Sequence, residues 1–326
     1  MVMDVSGLFS YLVSLAIMGG IYAIFALGLN VQWGYTGLFN IGIAGFFAVG
    51  AYTSALITTP MPEGVYATYV QQLVGLGLPF PLGLLGAAVV SGILGLIIGL
   101  PTLRLREDYL AIATIGIAEA IRLIFNNEQW LANGPRGLTG LPQPWRSWVE
   151  PQHYHYLYLI IVLVAVTVVY WAIERGIRSP WGRVLRAIRE DEVAAAMNGK
   201  DVFAFKLQAL GLGAAIMGLG GALYAHYVRA ISPDAFTPLF GTFLIWVMLM
   251  LGGSGNNKGA ILGAFLVWGI WTGSTFVTDQ TLPPFWAARA PYVRFLLIGL
   301  ILEAIILLRP QGILGEERQV SKLLEE

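Results

Sequence analysis

The sequence predicts an all-α protein, a polytopic bundle of about nine transmembrane helices with its N-terminus outside and its C-terminus inside. Three observations predict it. Of 326 residues, 57% are hydrophobic and only 12% are charged, with a mean hydropathy of +0.71. A soluble domain carries about 25% charged residues, and so few charges would not cover a water-exposed surface of this size. Apolar runs near the ~20 residues that cross a hydrocarbon core recur along the chain. Lysine and arginine gather in alternate connections, the asymmetry that orients membrane helices.

The runs are taken in order. The first, 8–29, follows Asp4 with no Lys or Arg before it. A secretory leader needs positive charge there, so this run is expected to stay as a helix. The next are 37–58, 82–103 and 109–126. The last of these carries Glu119 and Arg122, and 238–252 further on is short, so both are candidates for broken or re-entrant elements. The remaining runs are 156–174, 205–228, 259–278 and 291–308. Small residues sit four apart at Gly95 and Gly99 and at Ala214, Gly218 and Ala222, a spacing that lets helix backbones approach closely in lipid. Thr114, Gln208 and Thr242 are helix-interface candidates; His226 and Glu303 are lone polar residues in apolar runs. No short-period repeat is visible, and the chain reads as one membrane domain, 1–326.

Orientation follows from the connections. The stretch after the fifth run, 175–206, holds Arg175, Arg178, Arg183, Arg186, Arg189, Lys200 and Lys206, the densest positive segment, and is expected to be cytoplasmic. Arg104 and Arg106 then fall inside, as does the tail with Arg309, Arg318 and Lys322. Connection 59–81 has no Lys or Arg and falls outside, with 127–154 as an outer loop. Arg136, Arg146 and Arg289 run against this trend singly.

Several chemistries are disfavoured. A net charge of zero gives no basic face for nucleic acid. The absence of cysteine removes disulfides, thiolate nucleophiles and thiolate metal sites. His153 and His155 read as interfacial loop residues, and no metal or cofactor site is expected. The string Gly252-Gly-Ser-Gly-Asn-Asn-Lys-Gly259 lacks the spacing and the hydroxyl residue of a phosphate-binding loop and reads as a turn between two spans. The sequence therefore points away from an enzyme.

Segment 179–199 is different. Ser179 and Pro180 open a helix as cap and first-turn residue. Arg183, Arg186 and Arg189 recur every three residues and are read as one side, with Val184, Leu185 and Ile188 on the other. Glu190, Asp191 and Glu192 follow, then a short run, 193–197, closed by Asn198-Gly199 as a C-cap. Basic amphipathic helices lie on anionic lipid; the acidic knot would be repelled there, so a protein partner is the preferred reading.

This segment, Arg186-Ala-Ile-Arg-Glu-Asp-Glu192 running on to Gly199, resembles the cytoplasmic loop of membrane subunits of branched-chain amino acid ABC importers. Other strings resemble the same family in order: Gly28-Leu-Asn-Val-Gln-Trp-Gly-Tyr-Thr-Gly37 with Phe46-Phe-Ala-Val-Gly-Ala-Tyr52, Leu103-Arg-Leu-Arg106 with Asp108-Tyr-Leu-Ala-Ile112, Gly134-Pro-Arg-Gly-Leu-Thr-Gly140, Leu251-Gly-Gly-Ser-Gly255 and Arg309-Pro-Gln-Gly312. The resemblance implies a non-catalytic permease in a bacterial plasma (inner) membrane. It implies pairing with a sister permease subunit, usually a non-identical one, two cytoplasmic ATPase subunits and a periplasmic or extracellular substrate-binding protein. It implies that Arg183, Arg186, Arg189, Glu190, Asp191, Glu192 and Gly199 form the ATPase-coupling element. The usual Glu of that element falls at Val193 here, with Glu192 beside it.

Polar groups at membrane depth are costly and commonly face a cavity or a partner helix. Asn30, Gln32 and Asn40 cluster in the glycine-rich connection 28–42, and they line the translocation route if that connection dips into the bilayer. Glu119 and Arg122, three apart, share a helix face and are further pathway candidates. The scarcity of charge suits a neutral or zwitterionic amino acid as cargo. A urea or short-amide permease of the same architecture, and a self-sufficient channel or secondary transporter, are the alternatives.

Overall fold

The computed structural model describes residues 5–64, 67, 70–281 and 289–316. Asp4, Arg318 and Lys322, which bear on the expected orientation, lie outside them. Each predicted run carries a helix. These are α1 (Val5–Leu29), α2 (Ile43–Thr58), α3 (Phe80–Thr102), α4 (Glu107–Asn127), a single turn α5 (Gln129–Ala132), α6 (Tyr154–Arg178), α7 (Pro180–Glu190), α8 (Glu192–Met197), α9 (Val202–Val228), α10 (Leu244–Gly252), α11 (Asn257–Thr281) and α12 (Ala290–Leu308). Among the described residues, α1 with its extension to Gly34, α3, α6 and α9 are long and apolar enough to cross a membrane; α2 and 239–252 are apolar but shorter. A helix the length of α2 rises only ~24 Å, short of a hydrocarbon core of ~30 Å.

One run departs from expectation at its start, and of the two candidates for broken elements 109–126 is a single unbroken helix, α4, while 238–252 begins irregularly. Helix α2 begins at Ile43, so 37–42 is irregular, not helical. Gly37 sits at φ 76°, a left-handed conformation that ends the preceding helical path. The backbone freed beyond it is bonded by side chains, as described below. In 238–252 the first turn, Leu239–Phe243, is π-helical and only then continues as α10. A second π turn, Asn30–Gly34, extends α1.

Helix α9 is the hub, packed on α1, α2 and α3. Small residues permit this, as their spacing predicts. A Cβ on Gly50 or Gly221 would run into the backbone of the facing helix, α9 or α2, and one on Gly95 would lie 2.6 Å from the methyl of Ala214. In lipid no hydrophobic force drives helices together, so close backbone contact supplies the attraction instead. The outer faces of α3 and α6 are apolar at four- and three-residue steps: Leu85, Val89, Ile93 and Ile97; Ile160, Val164, Val168 and Trp171, all exposed. A continuous apolar surface of this kind is what lipid, not water, covers.

The connections collect at two ends. At one, β1 (Leu138–Thr139) pairs antiparallel with β2 (Ala230–Ile231), Leu138 opposite Ile231. Gln72 bridges Ala132 there, and the imidazole of His226 bonds the Pro142 carbonyl at 2.8 Å and Ser54 at 3.0 Å. At the other end α7 meets the end of α1, the α10–α11 turn and the segment after α12, while α8 packs on α7 and α9.

Candidate functional site

The α7–α8 hairpin is built by local rules. Pro180 occupies the first turn of α7, as the sequence predicts, but Ser179 does not cap it: its hydroxyl donates back to Gly176 O at 2.6 Å. Asp191 does cap, accepting from Ala194 N at 2.9 Å to start α8. Gly199, at φ 73°, closes α8 by donating its N–H to Ala196 O, the left-handed stop expected of Asn198-Gly199. Glu192 pairs with Lys206, which fastens α8 to α9.

The three arginines do not share a side. Each three-residue step on an α-helix falls about 60° short of a full turn, so Arg183 and Arg189 lie about 120° apart. Arg183 is exposed, while Arg186 and Arg189 turn inward, their side chains 25% and 23% accessible. Leu185 and Ile188 are buried, but Val184 is only half-buried and joins the outward side. There it lines a groove of about 600 Å³ with Arg183, Ala187, Glu190, Asp191 and Ala194. The groove has an apolar floor and a rim of both charges. Val193 and Met197 beside it are 63% and 84% exposed.

Inward, the Arg189 guanidinium donates to the Gly34 carbonyl and to Glu316 Oε2, the latter at 2.8 Å. Arg186 stacks its guanidinium over the Tyr35 ring, 5.6 Å from the centroid. Burial, ahead of the nearby Glu174 carboxylate, raises the Tyr35 pKa well above the usual phenol range, so it stays neutral at physiological pH.

Asn30, Gln32 and Asn40 come together in one network. Asn30 donates to Asn257 Oδ1 at 3.0 Å and accepts from Gly255 N at 2.8 Å. Gln32 donates to Leu210 O at 2.9 Å and accepts from Asn40 at 2.7 Å. Asn40 Oδ1 accepts from Gly42 N at 2.7 Å. All three are fully buried. They serve the irregular backbone around them, together with Thr114, which accepts from Ile41 N, and Thr242, which accepts from Ala44 N, both at 3.1 Å. Trp246 Nε1 reaches Asn40 O at 3.1 Å. In this conformation the amides face backbone, not open space. Beside them lies an apolar cleft of about 790 Å³ whose lining includes Trp33, Phe39, Ile41, Ile115, Trp246 and Leu302.

Glu119 and Arg122 stand apart from that network. They pair bidentately at 2.6 and 2.9 Å on α4, both part-exposed, with Asp234 3.9 Å from Arg122. Asn257 and Glu174, which join this network, and Glu316, which meets Arg189, were not among the expected site residues; Asn257 and Glu316 lie close in sequence to the Leu251–Gly255 and Arg309–Gly312 strings, while Glu174 ends the fifth apolar run beside the charged segment 175–206.

Comparison with known proteins gives one consistent family. The family model described as "Branched-chain amino acid transport system / permease component" matches residues 11–305. The chain is 32% identical to the high-affinity branched-chain amino acid transport system permease protein LivM of Salmonella typhimurium, across 95% of this chain and 72% of that one. It is 29% identical to the probable branched-chain amino acid transport permease protein LivM of Methanocaldococcus jannaschii, across 91% of each. A more distant relative, 23% identical over 85% of this chain and 87% of its own length, is the nucleoside ABC transporter permease protein NupC of Lactococcus lactis. No solved structure gives a significant match.

Proposed function

The chain belongs to the branched-chain amino acid transport permease family, and from that premise we propose that it is half of the translocation pathway of an ATP-driven importer for branched-chain or other neutral amino acids. A sister permease supplies the other half, two cytoplasmic ATPases drive it, and an external binding protein delivers the cargo. It sits in the plasma (inner) membrane of a bacterium and performs no catalysis itself. Segment 175–206 is the coupling element. What carries this is the outward α7–α8 groove: an apolar floor with a two-signed rim suits a protein ridge better than lipid headgroups.

The chain spans the bilayer nine times, N-terminus outside. Support comes from the dense positive charge of 175–206, and from the gathering of 127–153 with 229–236 at one end and of 30–37, 175–201 and 253–257 at the other. The route runs along the aromatic-walled cleft, with Asn30, Gln32 and Asn40 fixing its wall and Glu119 and Arg122 bordering it from α4. Segment 37–42 supports a re-entrant reading, since Ile41 meets Thr114, seven residues into α4 and so about 10 Å along its axis.

The test is extraction of the chain from its native membrane in mild detergent and identification by mass of what accompanies it. A sister permease and two ATPases, with hydrolysis raised by a binding protein and leucine, support the reading. ATPase raised only by a nucleoside would move the cargo toward that of the distant relative. A chain that emerges alone and moves solute in vesicles without ATP would overturn the importer.

A further inference from the structure

Four strings singled out in the sequence meet at one place: the end of α1 (Gly28–Gly37), the coupling segment (Arg186–Glu192), the α10–α11 turn (Leu251–Gly255) and the segment after α12 (Arg309–Gly312). The last of these does not trail away. Its continuation lies against α10, with Ile313 N and Leu314 N donating to Leu251 O and Gly252 O at 2.9 Å, and Asn256 donating to Gly315 O at 3.1 Å. This holds Glu316 in place under α7. A Cβ on Gly255 would come within 3.2 Å of both Arg189 Nη1 and the Glu316 carboxyl carbon, and one on Gly37 within 3.3 Å of Arg189 Cγ. Glycine at both positions lets Arg189 lie directly on backbone.

We infer that Arg189 and Glu316 form an internal strut through which movement of the coupling helix reaches the π-helical end of α1, with Arg186 as the alternative cation for Glu316. The inference rests on the coupling reading above and assigns Arg189 and Arg186 to positioning, leaving ATPase docking to Arg183 and the outward groove. Three observations carry it. The Arg189 fork bridges two separate elements, the Gly34 carbonyl and the Glu316 carboxylate; a planar guanidinium can do this and an ammonium cannot span it in the same way. Gly34 ends a π turn, where the i to i−4 ladder is already broken and the backbone can shift at low cost. Arg186 Nε is buried without a hydrogen-bond partner and lies 3.9 Å from Glu316 Oε1, beside a cavity of about 350 Å³ between α7 and the α10–α11 turn. Glu316 therefore has two cations within reach and space to change between them, a discrete two-position contact of the kind that transmits motion. Beyond Gly34 the path continues through Asn30 to Gly255 and Asn257, and through Asn257 to Glu174 on α6 at 2.9 Å.

The test uses the assembled transporter in vesicles and reads substrate moved per ATP hydrolysed, a ratio that a loss of folded protein alone does not change. Arg189→Lys and Glu316→Gln are each expected to lower that ratio about tenfold, within the usual range for coupling between sites, with ATPases still co-purifying. Arg183→Ala is expected instead to lose the ATPases. Glu316→Gln leaves the inward arginines in place, so it decides the matter if the Arg189→Lys chain does not reach the membrane as folded protein. A wild-type ratio in the Glu316 variant would overturn the strut, and so would loss of the ATPases from the Arg189→Lys complex, which would make Arg189 a docking residue. If the wild-type chain brings no ATPase at all, it is the importer reading that fails.

Discussion

The α7–α8 hairpin and the 30–42 segment are both polar interruptions of an apolar chain, yet they use polarity in opposite ways. In the hairpin, Arg183, Glu190 and Asp191 rim an open groove, and most of its charges keep contact with water. In 30–42, Asn30, Gln32, Thr36 and Asn40 are buried and each donates or accepts within the chain. A solvated charge contributes little to stability and is free for recognition. A buried amide contributes by satisfying backbone that would otherwise be orphaned, and its loss carries the full desolvation penalty. Residue type alone does not separate the two roles; burial does.

Substitutions can break this contrast. The largest stability effect is expected from Asn30→Ala, which strands Gly255 N and Asn257 Oδ1. With about 1–3 kcal/mol for each buried group left unpaired, the thermal midpoint in detergent should fall clearly, and an unchanged midpoint would show that the network is not what holds 30–42. Gln32→Ala, which frees Leu210 O and Asn40, should follow closely by the same measurement. On the hairpin, Arg183→Glu with Glu190→Lys should shift stability by less than about 0.5 kcal/mol while abolishing retention of the ATPases on an affinity column; retention intact would remove the groove as a docking surface. Asp191→Ala tests the boundary between the regions, because this carboxylate is exposed yet caps α8. A loss of about 1 kcal/mol is expected, seen as faster amide exchange in 192–197. The smallest change should come from Glu119→Gln, a part-exposed pair worth under about 1 kcal/mol, so a change in transport there without a change in melting would favour a pathway role.

Much of the fold was legible because hydropathy and length are local quantities. Each of the nine apolar runs carries a helix, and the small-residue spacings at Gly95 and Gly218 mark real helix contacts. The Gly252–Gly259 string does hold a turn between α10 and α11, at 253–256, with Gly253 and Gly255 at positive φ, although its last residues already belong to α11. The start of α2 was misread because 37–42 is apolar enough to pass for helix; its irregular path depends on Asn40, which bonds Gly42 N, and on Thr114, which bonds Ile41 N from far away in the chain. The placement of the three hairpin arginines was misread for a simpler reason. A spacing of three suggests one face, but the rotation accumulates over two steps and separates Arg183 from Arg189.

The sequence by itself determined that this is an all-α membrane protein, where its helices run, and which segment carries the charged hairpin, since each follows from composition and periodicity within a window of about twenty residues. Only the tertiary structure decided which charges face outward, that Glu316 returns to Arg189 across 127 positions, and that Asn30 is answered by Asn257 across 227. Those pairings are set by how helices pack, and packing partners distant in sequence leave no local period by which to find them.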